Sequence, residues 1–182
     1  MKTETEQRSE RAMQLFSQGY NCAQSVVAAW ADHYGLTPDI ALRISSSFGG
    51  GIGRMRLTCG AACGMFILAG LETGTTDPTD RDAKAANYKA VQQLAADFRQ
   101  AMGSITCGEL LGLSSPEGTP MPQERTPEYY RKRPCRDIVG QSSRIFGQYL
   151  EKKYRNERQS SREDIVGDCA NGAGRQKENR EP

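Results

Sequence analysis

The sequence predicts an all-α protein: a single-domain helical bundle with a Pro-rich loop and a disordered C-terminal tail. Three observations predict it. Apolar residues recur at steps of three and four almost throughout, no alternating run suggests a strand, and most periodic stretches open or close on capping residues. At 182 residues the chain has the usual length of one domain and can bury a core without disulfide staples.

The first helix is expected over Glu4 to Gln18 and is ended by Gly19. A second runs from Cys22 to Tyr34 and is ended by Gly35. A third covers Pro38 to Ser47, where Thr37 can cap and Pro38 suits the first helical position. Cys59 to Leu71 is nearly apolar and too short to span a bilayer. Thr79 to Met102 places Tyr88, Val91, Ala95, Phe98 and Met102 on one stripe, with Thr79 as N-cap and Asp80 and Asp82 in the first turn. A short turn of helix follows Thr106. Cys135 to Tyr154 carries Ile138, Ser142, Ile145 and Tyr149 on one face, with Val139, Phe146 and Leu150 beside them. Between these elements Leu113 to Pro127 holds four prolines and reads as a long loop able to lie over something. From about Arg155 to Pro182 the chain turns polar, so residues 1–154 form the domain and 155–182 a disordered tail. Trp30, Val26 and Val27 are read as core.

Composition narrows the function classes. Lys plus Arg number 24 against 22 Asp plus Glu, and the net +2 gives no broad electrostatic footprint for nucleic acid or anionic lipid. The N-terminal stretch MKTETEQRSERAMQLF has no apolar core of a signal peptide. A cytoplasmic protein bound to neither nucleic acid nor membrane is expected, either alone or as a homo-oligomer. In that reducing setting six cysteines point to metal or redox chemistry rather than a disulfide framework.

Four thiols share a position. Asn21-Cys22-Ala23-Gln24 and Thr106-Cys107-Gly108-Glu109 both fit the capping box, Thr58 precedes Cys59, and Cys135 follows Pro134. Each therefore falls in the first turn of an expected helix, where backbone N–H groups and the helix dipole favour the thiolate, the form that binds metal or attacks disulfides. If the four starts converge, those amides can also donate to the sulfurs of an anionic centre such as an iron-sulfur cluster. Taken singly, a cysteine is as readily a small buried hydrophobe. Cys63 and Cys169 are read in that plainer way: Cys63 as a packing residue, because an i,i+4 pair with Cys59 is too far apart for an unstrained disulfide, and Cys169 as incidental or an oxidation-sensitive surface thiol in the tail.

Other candidates are weaker. Phe48-Gly49-Gly50-Gly51-Ile52-Gly53-Arg54 lacks both the last glycine of a dinucleotide fingerprint and the Lys and Ser or Thr of a P-loop. Its lack of side chains suits close approach of backbone to a cofactor or another helix. His33, the single histidine, sits near a helix end and is read as a surface or packing residue, which disfavours a Cys-His hydrolase. The run Tyr129-Tyr130-Arg131-Lys132-Arg133 could bind an anion or an acidic redox partner, although such runs usually form a solvated face.

Ala12-Met13-Gln14-Leu15-Phe16 with Gly19-Tyr20-Asn21-Cys22-Ala23-Gln24, then Phe48 to Met55, Cys59-Gly60-Ala61-Ala62-Cys63-Gly64 and Met102-Gly103-Ser104-Ile105-Thr106-Cys107 stand in that order. Over about residues 12 to 150 this set resembles the redox-active family named for its C-GCAxxG-C-C cysteine pattern. The family's four cysteines map onto Cys22, Cys59, Cys107 and Cys135. The resemblance implies a small bacterial or archaeal redox protein that holds an iron-sulfur cluster, similar to a domain of split-Soret cytochromes. Cys63 fills a variable position of CGAxxG, and the tail after Tyr154 lies outside the likeness, so neither Cys63 nor Cys169 inherits a role. The expectation is an electron-transfer or redox-sensing protein, an oxidoreductase component serving a redox partner protein. It would ligate the cluster through Cys22, Cys59, Cys107 and Cys135, with Gly60 allowing close approach to the cofactor. Two rivals remain: a cofactor-free thiol-disulfide oxidoreductase, which lacks the usual C-x-x-C, and a structural zinc site on the same four thiolates.

Overall fold

A computed structural model describes residues 2–115 and 119–172, with side chains as far as 161. Among the described residues there are eight α-helices and no strand, and no helix is long and apolar enough to cross a membrane. The chain divides into two compact units, residues 1–147 and 148–182; the described part of the second is the C-terminal stretch of α8 (Cys135–Gly172).

In the first unit α1 (Glu4–Ser17) starts at a complete capping box on Thr3 and Glu6. Helix α2 (Cys22–Ala29) starts at a second one: the Asn21 side chain accepts from the Gln24 amide at 3.0 Å while the Gln24 side chain accepts from the Asn21 amide at 3.1 Å. It ends earlier than its sequence period suggests. After Ala29 the chain tightens into a 3-10 turn, Ala31–Tyr34, closed by Gly35 at φ 64°. There Trp30 turns fully inward, and its Nε1 donates to Ser143 Oγ at 2.9 Å. Helix α3 (Pro38–Ser45), capped by Thr37, likewise passes into a 3-10 turn, Ser46–Phe48.

Helix α4 (Gly60–Thr73) is apolar all round, and Gly60 through Met65 are buried without a break. A helix of that kind belongs inside. It packs against α2 on one side and α5 (Arg81–Met102) on another, while α2 also meets α1 and α3. The N-terminal half of α8 completes the core. Ser9 on α1 donates from its buried hydroxyl to the Gly140 carbonyl at 2.8 Å, and Phe146 meets Trp30 edge-on with centroids 5.2 Å apart. Phe16, Trp30, Leu68, Leu94, Phe98 and Phe146 are almost wholly removed from water, each burial contributing about 1.5–3 kcal/mol or more.

Four sequence expectations change. Asp80, not Thr79, caps α5 by accepting from the Ala83 amide at 2.8 Å, and Thr79 instead bonds Asp77. The buried stripe of α5 runs through Ala90, Leu94, Ala95 and Phe98, leaving Tyr88 64% exposed; the small Ala90 outranks the large ring because only it faces α4. Part of the expected loop-and-charge stretch forms a helix, α7 (Pro127–Lys132), capped by Thr126. Helix α8 runs past Tyr154 to Gly172; the expected disorder of the tail falls, beyond Gly172, outside the described residues, as does the side chain of Cys169.

Candidate functional site

The site is assembled from helix starts. Cys22 is the first residue of α2, Cys107 the first of the short α6 (Cys107–Leu110), Cys135 the first of α8, and Cys59 the residue that caps α4. Two local devices set the pairs.

The first is a lone antiparallel bridge between Thr58 and Thr106. The Cys59 amide donates to Ile105 O at 2.8 Å, and the Cys107 amide to Leu57 O at 2.6 Å. The two cysteines thus follow paired residues on neighbouring strands of backbone. Thr106 does not close the capping box expected of it. Glu109 turns instead to the Ser104 hydroxyl, which also accepts from the Thr106 amide.

The second device joins the starts of α2 and α8. Cys22 donates its S–H to the Cys135 sulfur, which holds Cys135 down to about 7 and drives Cys22 well above the ordinary thiol range, with burial adding to the rise. Arg133 and Arg125 also favour the Cys135 thiolate.

The pairs meet. Cys22 feels the charge of Cys135, Cys59 and Cys107; Cys59 feels Cys107 and Cys135; Cys107 feels Cys135. Every pairing among the four is therefore within electrostatic reach. Two glycines make this closeness possible. A Cβ on Gly60 would stand 2.5 Å from the Phe48 carbonyl oxygen and 3.3 Å from Cys22 Cβ, and one on Gly51, which sits at φ +70°, would stand 2.5 Å from Cys107 Cβ. Gly60 thus admits the protein's own Cys22 beside Cys59.

Helix-start placement does not by itself ionise these thiols. The Ala61 and Ala62 amides favour the Cys59 thiolate, yet burial outweighs them and pushes Cys59 up to about 12. Burial also raises Cys107, against a long hydrogen bond from Arg56 Nη1 at 4.0 Å. Desolvation of a charge in an apolar surround exceeds what a few amides return. Only Cys135 escapes, through a sulfur donor and two guanidinium groups. Cys63 is buried on α4, raised to about 11 by that burial, with its S–H near the Thr58 carbonyl at 3.9 Å. His33 packs edge-on between Trp30 and Tyr34, away from the thiols.

Sequence reasoning missed Arg56, Arg125 and the strain of the loop, whereas Arg133 stands in the run read as able to bind an anion. Arg56 is a buried cation, 6% exposed. It ends a segment in which Ile52, Arg54 and Arg56 all have φ between 60° and 66°, a backbone region that costs non-glycine residues on the order of 1–3 kcal/mol each and is retained mostly at functional sites. Internal hydrogen bonds hold it, among them Gly53 N to Ser47 O at 2.8 Å and Leu57 N to Gly51 O at 3.1 Å. The glycine run was the visible signal; Arg56 and Arg125 carry none in one dimension.

A family model described as "Putative redox-active protein (C_GCAxxG_C_C)" matches residues 20–149, more than half of the chain. The chain belongs to this family. The match begins just before Cys22, ends beyond Cys135, and contains both pairs of the C_GCAxxG_C_C thiols described above. No curated protein and no solved structure matches the chain.

Proposed function

We propose that this member of the redox-active family works through Cys22, Cys59, Cys107 and Cys135 as the ligand set of an iron-sulfur cluster, serving electron transfer or redox sensing. The single observation that carries the reading is the mutual electrostatic contact of four thiols drawn from four distant segments. Four soft sulfur donors in a buried surround suit iron-sulfur chemistry. Among the described residues no three His, Cys, Asp or Glu side chains are grouped to hold one metal ion, so the reading rests on the electrostatic reach of the four thiols. Bound, the cluster would supply one-electron exchange. The chain's part is to present the sulfurs, exclude water, and set the nearby positive charge through Arg56, Arg125 and Arg133. Protein purified without oxygen should be brown, with iron and acid-labile sulfide in near-equal amounts. Colourless, iron-free protein overturns the reading.

One observation favours a second reading, a cofactor-free dithiol couple: the Cys22 and Cys135 sulfurs already share a proton-bearing contact, with Cys135 at about 7. The Cys135 thiolate would attack a substrate disulfide, forming a mixed disulfide and expelling one substrate thiolate; Cys22, giving its proton to that thiolate, would then attack the Cys135 sulfur, closing the Cys22–Cys135 disulfide and expelling the second substrate sulfur as a thiolate that takes its proton from water. Mass shifts after alkylation across a redox titration decide between them; the dithiol reading falls if no reversible Cys22–Cys135 disulfide forms.

A further inference from the structure

Beside the thiols lies a cavity of about 400 Å³, within the range of small-molecule sites. Four guanidinium groups line it, from Arg54, Arg56, Arg125 and Arg133, together with Asn21 and Tyr129. Among the described residues no carboxylate lines it. Such a concentration of one sign of charge, in a chain of net charge +2, makes the cavity locally positive and attractive to an anion.

Arg125 sharpens the point. Its guanidinium stacks on Phe16, Tyr129 and Tyr130 at 4.6, 4.8 and 5.8 Å from the ring centroids, and Nη2 donates to the Tyr20 carbonyl at 3.3 Å. Nη1 is buried with no hydrogen-bond partner. The rings share the positive charge but offer that N–H no lone pair, and a buried donor left unmatched costs about 1–3 kcal/mol. Arg133 stacks on Tyr129 at 4.8 Å and its Nη2 donates to the Gln123 side chain at 2.6 Å. Arg54 Nε donates to the Thr119 carbonyl at 3.1 Å. Rings and neutral oxygens thus help to fix the direction of these guanidinium planes, and the one buried donor they leave unmatched is Arg125 Nη1. Planar, fixed guanidinium groups are the side chains best suited to oxyanions.

We infer that this cavity binds the oxyanion group of a small molecule, a phosphate, sulfate or carboxylate, and places that molecule next to the Cys22–Cys135 pair. Asn21 links the two sites: it lines the cavity and caps the helix that Cys22 begins. Arg125 and Arg133, which line it too, are the cations that favour the Cys135 thiolate. A bound anion would draw on the same positive charge, so binding and the state of the thiol centre influence each other by linkage. The inference stands on the cavity and goes beyond any choice of what the thiols hold.

Calorimetric titration of the full chain with inorganic phosphate, sulfate and succinate, at ionic strength fixed with sodium chloride, tests it. At least one probe should bind saturably, and Arg54→Gln and Arg125→Gln should each weaken it tenfold or more, while Arg43→Gln, on the exposed face of α3 beside Asp39, leaves it unchanged. Preference for phosphate and sulfate or for succinate tells which ligand class the site serves. Arg54 lies in an exposed loop, so its variant is informative even if loss of Arg125 unfolds the chain. Absence of saturable binding, or binding indifferent to Arg54→Gln, overturns the inference. The titration is run on protein purified without oxygen, whose iron is measured: iron-free protein that binds the anion sinks the cluster and leaves the cavity standing, and iron-loaded protein that binds none sinks the cavity and leaves the cluster standing.

Discussion

A buried thiol ordinarily keeps its proton, as Cys59, Cys63 and Cys107 do here. Cys135 departs from that rule because the Cys22 S–H points at it and Arg133 and Arg125 stand near. In reduced, iron-free protein the ultraviolet absorbance of thiolate should therefore rise through a step near pH 7, and Cys135→Ser should remove that step. Cys22→Ala and Arg133→Gln should each move it upward, since each withdraws support from the anion. A step that survives in Cys135→Ser assigns the ionisation elsewhere. The sign of the linked stability follows. A thiol held below its unfolded value of about 8.5 stabilises the fold above that pH, and the contribution is lost as pH falls through 7. The four cysteines were legible in the sequence because each stands beside a cap or a proline, whose local chemistry is written in neighbouring residues. Arg56 and Arg125 were not, and Arg133 was seen only as part of a charged run, because an arginine's meaning here comes from what lies across a cavity.

Helix starts are the elements that place the sulfurs, so weakening one should be felt at the site. Asn21→Ala removes the acceptor of the Gln24 amide and the donor to Ser46 O at 2.9 Å; a stability loss of about 1–2 kcal/mol is expected, measured by urea unfolding, together with reduced iron retention. Thr37→Ala, a cap of α3 remote from the thiols, should cost about 1 kcal/mol and spare the iron. Gly60→Ala should lose about 1–3 kcal/mol through overpacking against the Phe48 carbonyl, and should lower iron content further than its stability loss alone explains. At this scale the caps of α2 and α3 were readable from Asn21, Gln24, Thr37 and Pro38. Helix α7 was not, although Thr126 and Pro127 announce it in the same manner, because under two turns offers no period to count. Tyr88 misled because size and step suggest burial, whereas facing decides it.

Across the molecule, the large side chains of the core lie among α1, α2, α4, α5 and α8 and do not depend on whatever the thiols hold. Removal of metal by a chelator should therefore leave the helical circular dichroism signal in place at 25 °C and lower the melting temperature, in contrast with small zinc domains that unfold outright. Collapse of the helical signal would show that the centre holds the fold together. Phe98→Ala, deep between helices, should cost about 3–5 kcal/mol whether or not iron is bound. The all-helical architecture was legible because amphipathic period survives in a single chain. The meeting of the four thiols was not, since it depends on long-range packing; for that the ordered likeness to a known cysteine pattern pointed the way.

The two sulfur pairs have a temporal implication. Cys22 is made more than a hundred positions before its partner Cys135, and Cys59 waits for the segment that bears Cys107. A chain emerging from the ribosome therefore carries incomplete sulfur sets until Cys135 appears, and anything installed there must arrive after nearly all of the domain has been made.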